Sequence, residues 1–216
     1  MNFLITCPDH DDATYFVSEY SIELIKFAKE KGFNVINCYE KNATKARVKN
    51  FIETKNPEFI MFNGHGNDDI ITGQVFEPII RLEDSDLIKD RIVYARVCHT
   101  ARTLGKKCAE TGTGAYIGFT DRFRIWISNN YSHLPLEDPY AQLIIPPSNV
   151  IAKSLLKGNT VEEATNHGKD AYRKNIELLE KSDSKKELRF LLPVLYWNRA
   201  KLLAQGNTNA TLAQHN

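Results

Sequence analysis

Two short segments carry the residue types needed for nucleophilic and acid–base chemistry. Residues 64–66 read Gly-His-Gly, and residues 97–99 read Val-Cys-His. A histidine exchanges protons near neutral pH, and a thiol beside it can become a thiolate nucleophile. The pair Cys98 and His65 therefore predicts covalent catalysis of the kind used by cysteine peptidases.

A predicted strand precedes each of these segments. Residues 57–63 (PEFIMFN) form a short apolar run after a proline, and residues 91–97 (RIVYARV) are rich in β-branched and aromatic types. The chain between them leaves room for a crossover, so we expect two parallel strands. Parallel strands end at the same sheet edge, where open α/β sheets bind ligands. His65 and Cys98 should meet there.

The residues around His65 and Cys98 have both catalytic and structural interpretations. Gly66 lets the backbone approach a substrate closely and offers its N–H to a developing oxyanion. A lone His-Gly is more often a turn, and a lone cysteine is more often a small buried hydrophobe. Their joint placement after two strands favours a catalytic site. His99 should be a structural or rim residue, because adjacent strand residues point to opposite faces.

The remaining pattern alternates strands and helices, which predicts an α/β fold with a mostly parallel sheet and helices on both faces. The predicted strands cover residues 3–6, 33–37 and 115–118, and the predicted helices cover residues 18–31, 44–55 and 103–111. Thr160 to Glu163 has the form of a capping box at the start of a long helix. Pro193 argues against a continuous late helix and favours a last strand from Val194 to Leu203. We expect one domain over residues 1–206 and a disordered tail over residues 207–216.

Composition excludes several classes of function. The chain has 216 residues, is 42% hydrophobic and carries a formal net charge of +1, which gives no electrostatic case for nucleic acid or an anionic membrane. Its four cysteines and the lack of a signal-like N-terminus predict reduced thiols and a cytoplasmic location. The segment Cys7-Pro8-Asp9-His10 is only half of a typical metal motif. We expect neither a metal nor a cofactor.

The segments around His65 and Cys98 resemble those of the caspase-like cysteine peptidases of clan CD. The resemblance covers the most residues for the bacterial CHAT-type group. The segments that carry it are residues 93–101, 114–118, 156–164 and 193–206. The resemblance implies a caspase-like three-layer sandwich and a cysteine endopeptidase. Cys98 would be the nucleophile, His65 would transfer protons, and the N–H groups of Gly66 and Cys98 would form the oxyanion hole.

The resemblance also leads to expectations about the P1 specificity and the binding partners. Some relatives have an acidic residue two positions before the cysteine that holds a basic P1 side chain, whereas this chain has Arg96. Arg96 facing the pocket would favour an acidic or neutral P1 residue, and Asp9, Asp11 and Asp12 would favour a basic one. Arg96, Asp9, Asp12 and Trp126 are therefore the candidate substrate contacts. The expected partners are a protein or peptide substrate and a regulatory protein.

Two other classes of function stay open. The first is a catalytically silent caspase-like scaffold that binds a protein through the same cleft. The second is a nucleotide-binding or small-ligand-binding α/β domain, which the fold alone permits. The sequence has no glycine-rich phosphate loop of either common type, which makes that second class the weaker one.

Overall fold

A mostly parallel sheet with helices on both faces forms the body of the chain. The computed structural model describes residues 1–112 and 114–212. The strands are β1 (Asn2–Cys7), β2 (Asn34–Tyr39), β3 (Phe59–Asn63), β4 (Ile70–Thr72), β5 (Pro78–Arg81), β6 (Ile92–Arg96), β7 (Ala115–Phe119) and β8 (Leu202–Gly206). The helices are α1 (Asp12–Glu30), α2 (Lys45–Lys55), α3 (Leu104–Thr111), α4 (Ala141–Ile144), α5 (Pro146–Leu156), α6 (Val161–Lys181) and α7 (Leu192–Lys201).

The six-stranded sheet has the order β2-β1-β3-β6-β7-β8. All neighbours are parallel except β7 and β8, which pair antiparallel. Strands β4 and β5 form a separate antiparallel arm between β3 and β6 along the chain. This topology confirms the predicted α/β fold class.

Alternating residues along each strand bury the two sheet faces. On one face, Phe3, Met61 and Tyr94 pack in a core with residues of α1, α5 and α6. On the other, Ile60 and Val93 pack in a core with residues of α2 and α3. The helices therefore form two outer layers, which makes a three-layer sandwich. No helix among the described residues combines the length and apolar character that crossing a bilayer requires.

The prediction of a long strand after Pro193 is wrong. Residues Leu192–Lys201 form α7, and only Leu202–Gly206 form the closing strand. Pro193 lies in the first turn of α7, where a helix needs no N–H donor and the fixed φ of proline suits the helix.

The predicted disordered tail also differs from the structure over its first half. The carbonyl groups of Thr208 and Ala210 accept hydrogen bonds from the first N–H groups of α6, and Leu212 is buried in the sheet core. Residues 207–212 therefore pack against the body of the fold, while residues 213–216 lie outside the described residues.

We expect Leu212→Ala to lower the free energy of unfolding by about 2 kcal/mol, because the leucine side chain is only 3% exposed. Urea denaturation followed by circular dichroism measures this loss. Leu203→Ala is the matched control, since Leu203 is 39% exposed and should cost well under half as much. Equal losses for the two variants would contradict the packing of residues 207–212.

Candidate active site

His65 and Cys98 lie at the same edge of the sheet. Each residue lies two positions beyond the end of its strand, and the two strands pair in parallel with Asn63 opposite Arg96. Both side chains line one pocket. Its lining residues are Ala13, Thr14, Val17, Gly64, His65, Arg96, Val97, Cys98, Phe123 and Ile125. The sheet topology thus brings together the imidazole and the thiol, which are far apart in sequence.

The His65 ring is held by a carboxylate from the start of α1. Its Nε2 lies 2.6 Å from Oδ2 of Asp11. Burial would raise the pKa of Asp11, but hydrogen bonds from Thr14 and His65 outweigh it and leave the pKa below its ordinary value. An ionised carboxylate only accepts hydrogen bonds, so Nε2 carries a proton, and in the neutral ring Nδ1 then has the free lone pair. The His65 ring is therefore set up to accept a proton at Nδ1.

Asp11 has this position because it begins the helix. Its Oδ1 accepts hydrogen bonds from the N–H and the hydroxyl of Thr14, both at 2.8 Å, and its own N–H donates back to the Thr14 hydroxyl. This capping box stabilises the first turn of α1 and leaves Oδ2 for His65. The helix was predicted from the sequence to begin at Ser18, and Asp11 was not predicted to cap it. The Asp11-x-x-Thr14 spacing is the signal that would have found it.

The Cys98 thiol is partly buried and protonated at neutral pH. Burial raises the pKa of Cys98, and the nearby Arg122 charge opposes this only in part. The Sγ–H group donates a long hydrogen bond of 3.9 Å to the carbonyl of Phe123. Within the described residues, no hydrogen bond joins Sγ to His65.

Cys98 is also the most accessible thiol. All four cysteines are free, and only Cys98 is partly exposed. Burial raises the pKa of Cys7, Cys38 and Cys108 to about 12 each. A reagent that approaches from solvent therefore meets Cys98 first.

Two backbone N–H groups in the segments around His65 and Cys98 have no hydrogen-bond partner in the described part of the chain, namely those of Gly66 and Cys98. A β-bridge joins Gly66 to Ile71, but its two hydrogen bonds use the N–H groups of Asn67 and Thr72. A Cβ at position 66 would overlap the Ile70 carbonyl and the Val97 side chain, so this close approach requires glycine. Both N–H groups are free to stabilise an oxyanion.

Arg96 lies beneath the pocket but is a structural residue rather than a hydrogen-bonding contact for substrate. Its side chain is 1% exposed. All five N–H donors of the guanidinium are used, by the Asn63, Asn149, Ser148 and Ser21 side chains and the Val17 carbonyl. The expectation that Arg96 binds the P1 side chain directly is corrected on this point, because no donor is left for a ligand.

The other candidate substrate contacts do not line the pocket. Asp9 is paired with Gln74 through two hydrogen bonds, and Asp12 is exposed in the first turn of α1. Trp126 is 52% exposed and makes an edge contact with Phe190. From the segment that contains Trp126, Phe123 and Ile125 are the residues that face the pocket.

His99 links the loops around the site. Its backbone has a φ of 65°, its N–H donates to the Asp121 carbonyl, and its ring lies 3.8 Å from the Asp121 carboxylate and 4.0 Å from Asp68. These contacts join the loops that follow β3, β6 and β7. The positive φ turns the chain immediately after Cys98.

Comparison with known proteins supports the fold. No protein-family model matches the chain, and no curated protein matches it. The crystal structure of the Arg-specific cysteine proteinase gingipain R, a clan CD peptidase, matches with a TM-score of 0.60 and 11% sequence identity. The match covers 97% of this chain and 46% of the gingipain R chain. The chain therefore has the caspase-like α/β fold and spans about half the length of that relative.

Proposed function

We propose that this chain is a caspase-like cysteine endopeptidase in which Cys98 is the nucleophile and His65 the general base and acid. The observation that carries this proposal is the shared pocket of Cys98 and His65, with the ring of His65 fixed by Asp11 at 2.6 Å. The caspase-like fold shared with a known cysteine proteinase supports the same conclusion.

The reaction follows from the positions of the protons. His65 Nδ1 takes the thiol proton as Sγ attacks the scissile carbonyl carbon, and the N–H groups of Gly66 and Cys98 stabilise the oxyanion. The imidazolium then protonates the leaving amine as the C–N bond breaks, which leaves a thioester on Cys98. Water attacks the thioester while His65 takes its proton, and the thiolate is reprotonated when the carboxylic acid product leaves. Asp11 stabilises the imidazolium in both halves.

We also propose that the pocket takes a neutral P1 side chain and disfavours a basic one. None of the described lining residues carries a carboxylate, and four of them, Ala13, Val17, Phe123 and Ile125, are apolar. Arg96 beneath the pocket hydrogen-bonds to no carboxylate, so its positive charge is uncompensated by its partners. The arginine specificity named for gingipain R is therefore not extended to this chain.

The subgroup and the regulation of the site are further parts of this proposal. The residue pattern at 93–101 supports membership of the CHAT-type group. Control by a partner protein is supported by Val75 and Phe76, which are 71% and 56% exposed on the turn beside His65. Exposed apolar side chains next to a cleft are typical of contact surfaces. Four free cysteines agree with a reducing compartment such as the cytoplasm.

The test is mass-spectrometric labelling of the native protein with a peptide-like thiol-reactive electrophile. We expect Cys98 to label at least about tenfold faster than Cys7, Cys38 or Cys108, because it combines exposure with a base in reach. His65→Ala should remove most of this advantage. The rate should increase as the pH is raised through the alkaline range, since the pKa of the Cys98 thiol lies above its ordinary value.

Cys108→Ala is the control variant and should leave labelling of Cys98 unchanged. Equal labelling rates at all four cysteines, or equal rates with and without His65, would contradict the peptidase and favour a silent scaffold. Cleavage of a peptide library by the wild type, but not by Cys98→Ala, would then establish the reaction itself. A library spanning neutral, acidic and basic P1 residues tests the specificity in the same experiment.

A further inference from the structure

Three potential metal-binding side chains meet on the outer side of the His65 ring. They are His10, Asp11 and His65, and one ligand atom from each lies within 4.8 Å of the others. Nε2 of His10 lies 3.9 Å from Oδ2 of Asp11, the same oxygen that contacts Nε2 of His65. Two imidazoles and one carboxylate thus each place a ligand atom in one small region.

His10 gives independent evidence that this point receives a ligand. Its side chain is only 7% exposed, yet neither ring nitrogen has a hydrogen-bond partner among the described residues. The His10 ring makes edge-on contacts with Phe76 and His65, at centroid distances of 4.5 Å and 5.8 Å. Leaving a buried polar group unsatisfied costs about 1–3 kcal/mol, and a neutral imidazole aimed at a carboxylate recovers that cost by binding a cation.

We propose that His10, Asp11 and His65 form a binding site for a divalent cation of the zinc class. Two imidazole nitrogens and a carboxylate oxygen suit Zn²⁺ rather than Mg²⁺ or Ca²⁺, which prefer oxygen ligands. Tetrahedral bonds of about 2.0 Å place ligand atoms roughly 3.3 Å apart. Side-chain rotations that move the ligand atoms by about 1 Å therefore complete the site. His65 and Asp11 are about one-third exposed, which leaves a route for the ion from solvent.

A cation here would switch off the proposed catalytic histidine. Zinc on Nε2 displaces the hydrogen bond to Asp11, and a singly coordinated neutral imidazole then keeps its proton on Nδ1. Nδ1 no longer has a lone pair to accept the Cys98 proton. This inhibitory effect rests on the proposed function, whereas the binding of the ion does not.

The binding test is isothermal titration of the full chain with ZnCl₂ in metal-free buffer. We expect the wild type to bind zinc and His10→Gln to bind it with about a hundredfold lower affinity. Loss of a residue that only hydrogen-bonds to a ligand already lowers metal affinity by about 10–100-fold, and His10 would be a direct ligand. The exposed His167→Gln in α6 is the matched histidine control and should bind as the wild type does. Cys98→Ser should also bind zinc with the affinity of the wild type, and titration with MgCl₂ should give no heat of binding. Wild-type affinity in His10→Gln, or loss of binding in Cys98→Ser, would overturn the site.

Cobalt provides a check that needs no variant. Co²⁺ bound to the wild-type chain should give the visible d–d bands of a low-symmetry nitrogen and oxygen site with no sulfur-to-cobalt charge-transfer band. A sulfur band would assign the ion to Cys98 and overturn the proposal. Peptidase assays are a separate test, in which Zn²⁺ should inhibit the wild type and should inhibit His10→Gln by a much smaller fraction of that variant's own metal-free activity. If the chain cleaves no peptide, the titration and the cobalt spectrum still decide the site.

Discussion

Arg96→Met is expected to lower the free energy of unfolding by about 3 kcal/mol, since it leaves two buried acceptors without a donor. Those acceptors are the side-chain oxygens of Asn63 and Asn149, whereas the Val17 carbonyl keeps a hydrogen bond from the Ser21 hydroxyl. Methionine replaces the volume of the arginine but donates no hydrogen bond. Urea denaturation followed by circular dichroism measures the loss.

Arg173→Met is the matched control for this prediction. Arg173 lies on the exposed side of α6 and pairs with Asp170 and Glu177 in solvent, so its removal should cost only a few tenths of a kcal/mol. Arg96→Lys separates charge from geometry, because an ammonium keeps the charge but supplies three donors rather than five. A stability of Arg96→Met within about 1 kcal/mol of the wild type would show that the network is dispensable.

The sequence was sufficient where chemistry and secondary structure are both local. His65 and Cys98 each follow an apolar run, and the parallel pairing of β3 and β6 brings their ends together as expected. The capping box at Thr160 likewise marks the start of α6. In these cases a few adjacent residues contain the whole signal.

The sequence was insufficient where a residue is defined by distant partners. Arg96 reaches Val17 and Ser21 on α1 and Ser148 and Asn149 on α5, contacts that no spacing along the chain specifies. The segment that contains His10 was interpreted as only half of a metal motif, and the third member of the cluster, His65, comes from the loop after β3. Tertiary packing, rather than local pattern, determines both outcomes.

The same distinction explains why the arginine two positions before Cys98 does not act as a direct specificity residue. A strand residue two positions before the nucleophile lies on the same side of the sheet edge, which predicts a pocket contact. The structure agrees that Arg96 lines the pocket, but α1 and α5 cover the sheet there and saturate its donors. In the proposed peptidase, any influence of Arg96 on the substrate is then electrostatic rather than through hydrogen bonds.

Asp11→Asn is expected to reduce kcat/KM for peptide cleavage by about a hundredfold or more while leaving stability nearly unchanged. An asparagine amide can donate to Nε2 of His65, which would move the ring proton to Nδ1 and remove the lone pair that the proposed mechanism uses as the base. Steady-state assays on a cleaved peptide measure the loss. Asparagine caps helices as well as aspartate does, so α1 should start as before.

A second variant, Asp11→Ala, separates the effect of Asp11 on the His65 ring from its effect on folding. Asp11→Ala removes the cap and the carboxylate together and should cost about 1 kcal/mol of stability in addition to the activity. Nitrogen-15 NMR of His65 gives the readout that a purely structural role would not move, since the Asn variant should shift the neutral ring from the Nε2–H to the Nδ1–H tautomer. If Asp11→Asn retains kcat/KM within tenfold of the wild type and the Nε2–H tautomer persists, the carboxylate only caps α1. In that case the dyad acts without a third residue, and the orientation of His65 must come from its loop and from the ring of Phe76, which packs 5.2 Å from it.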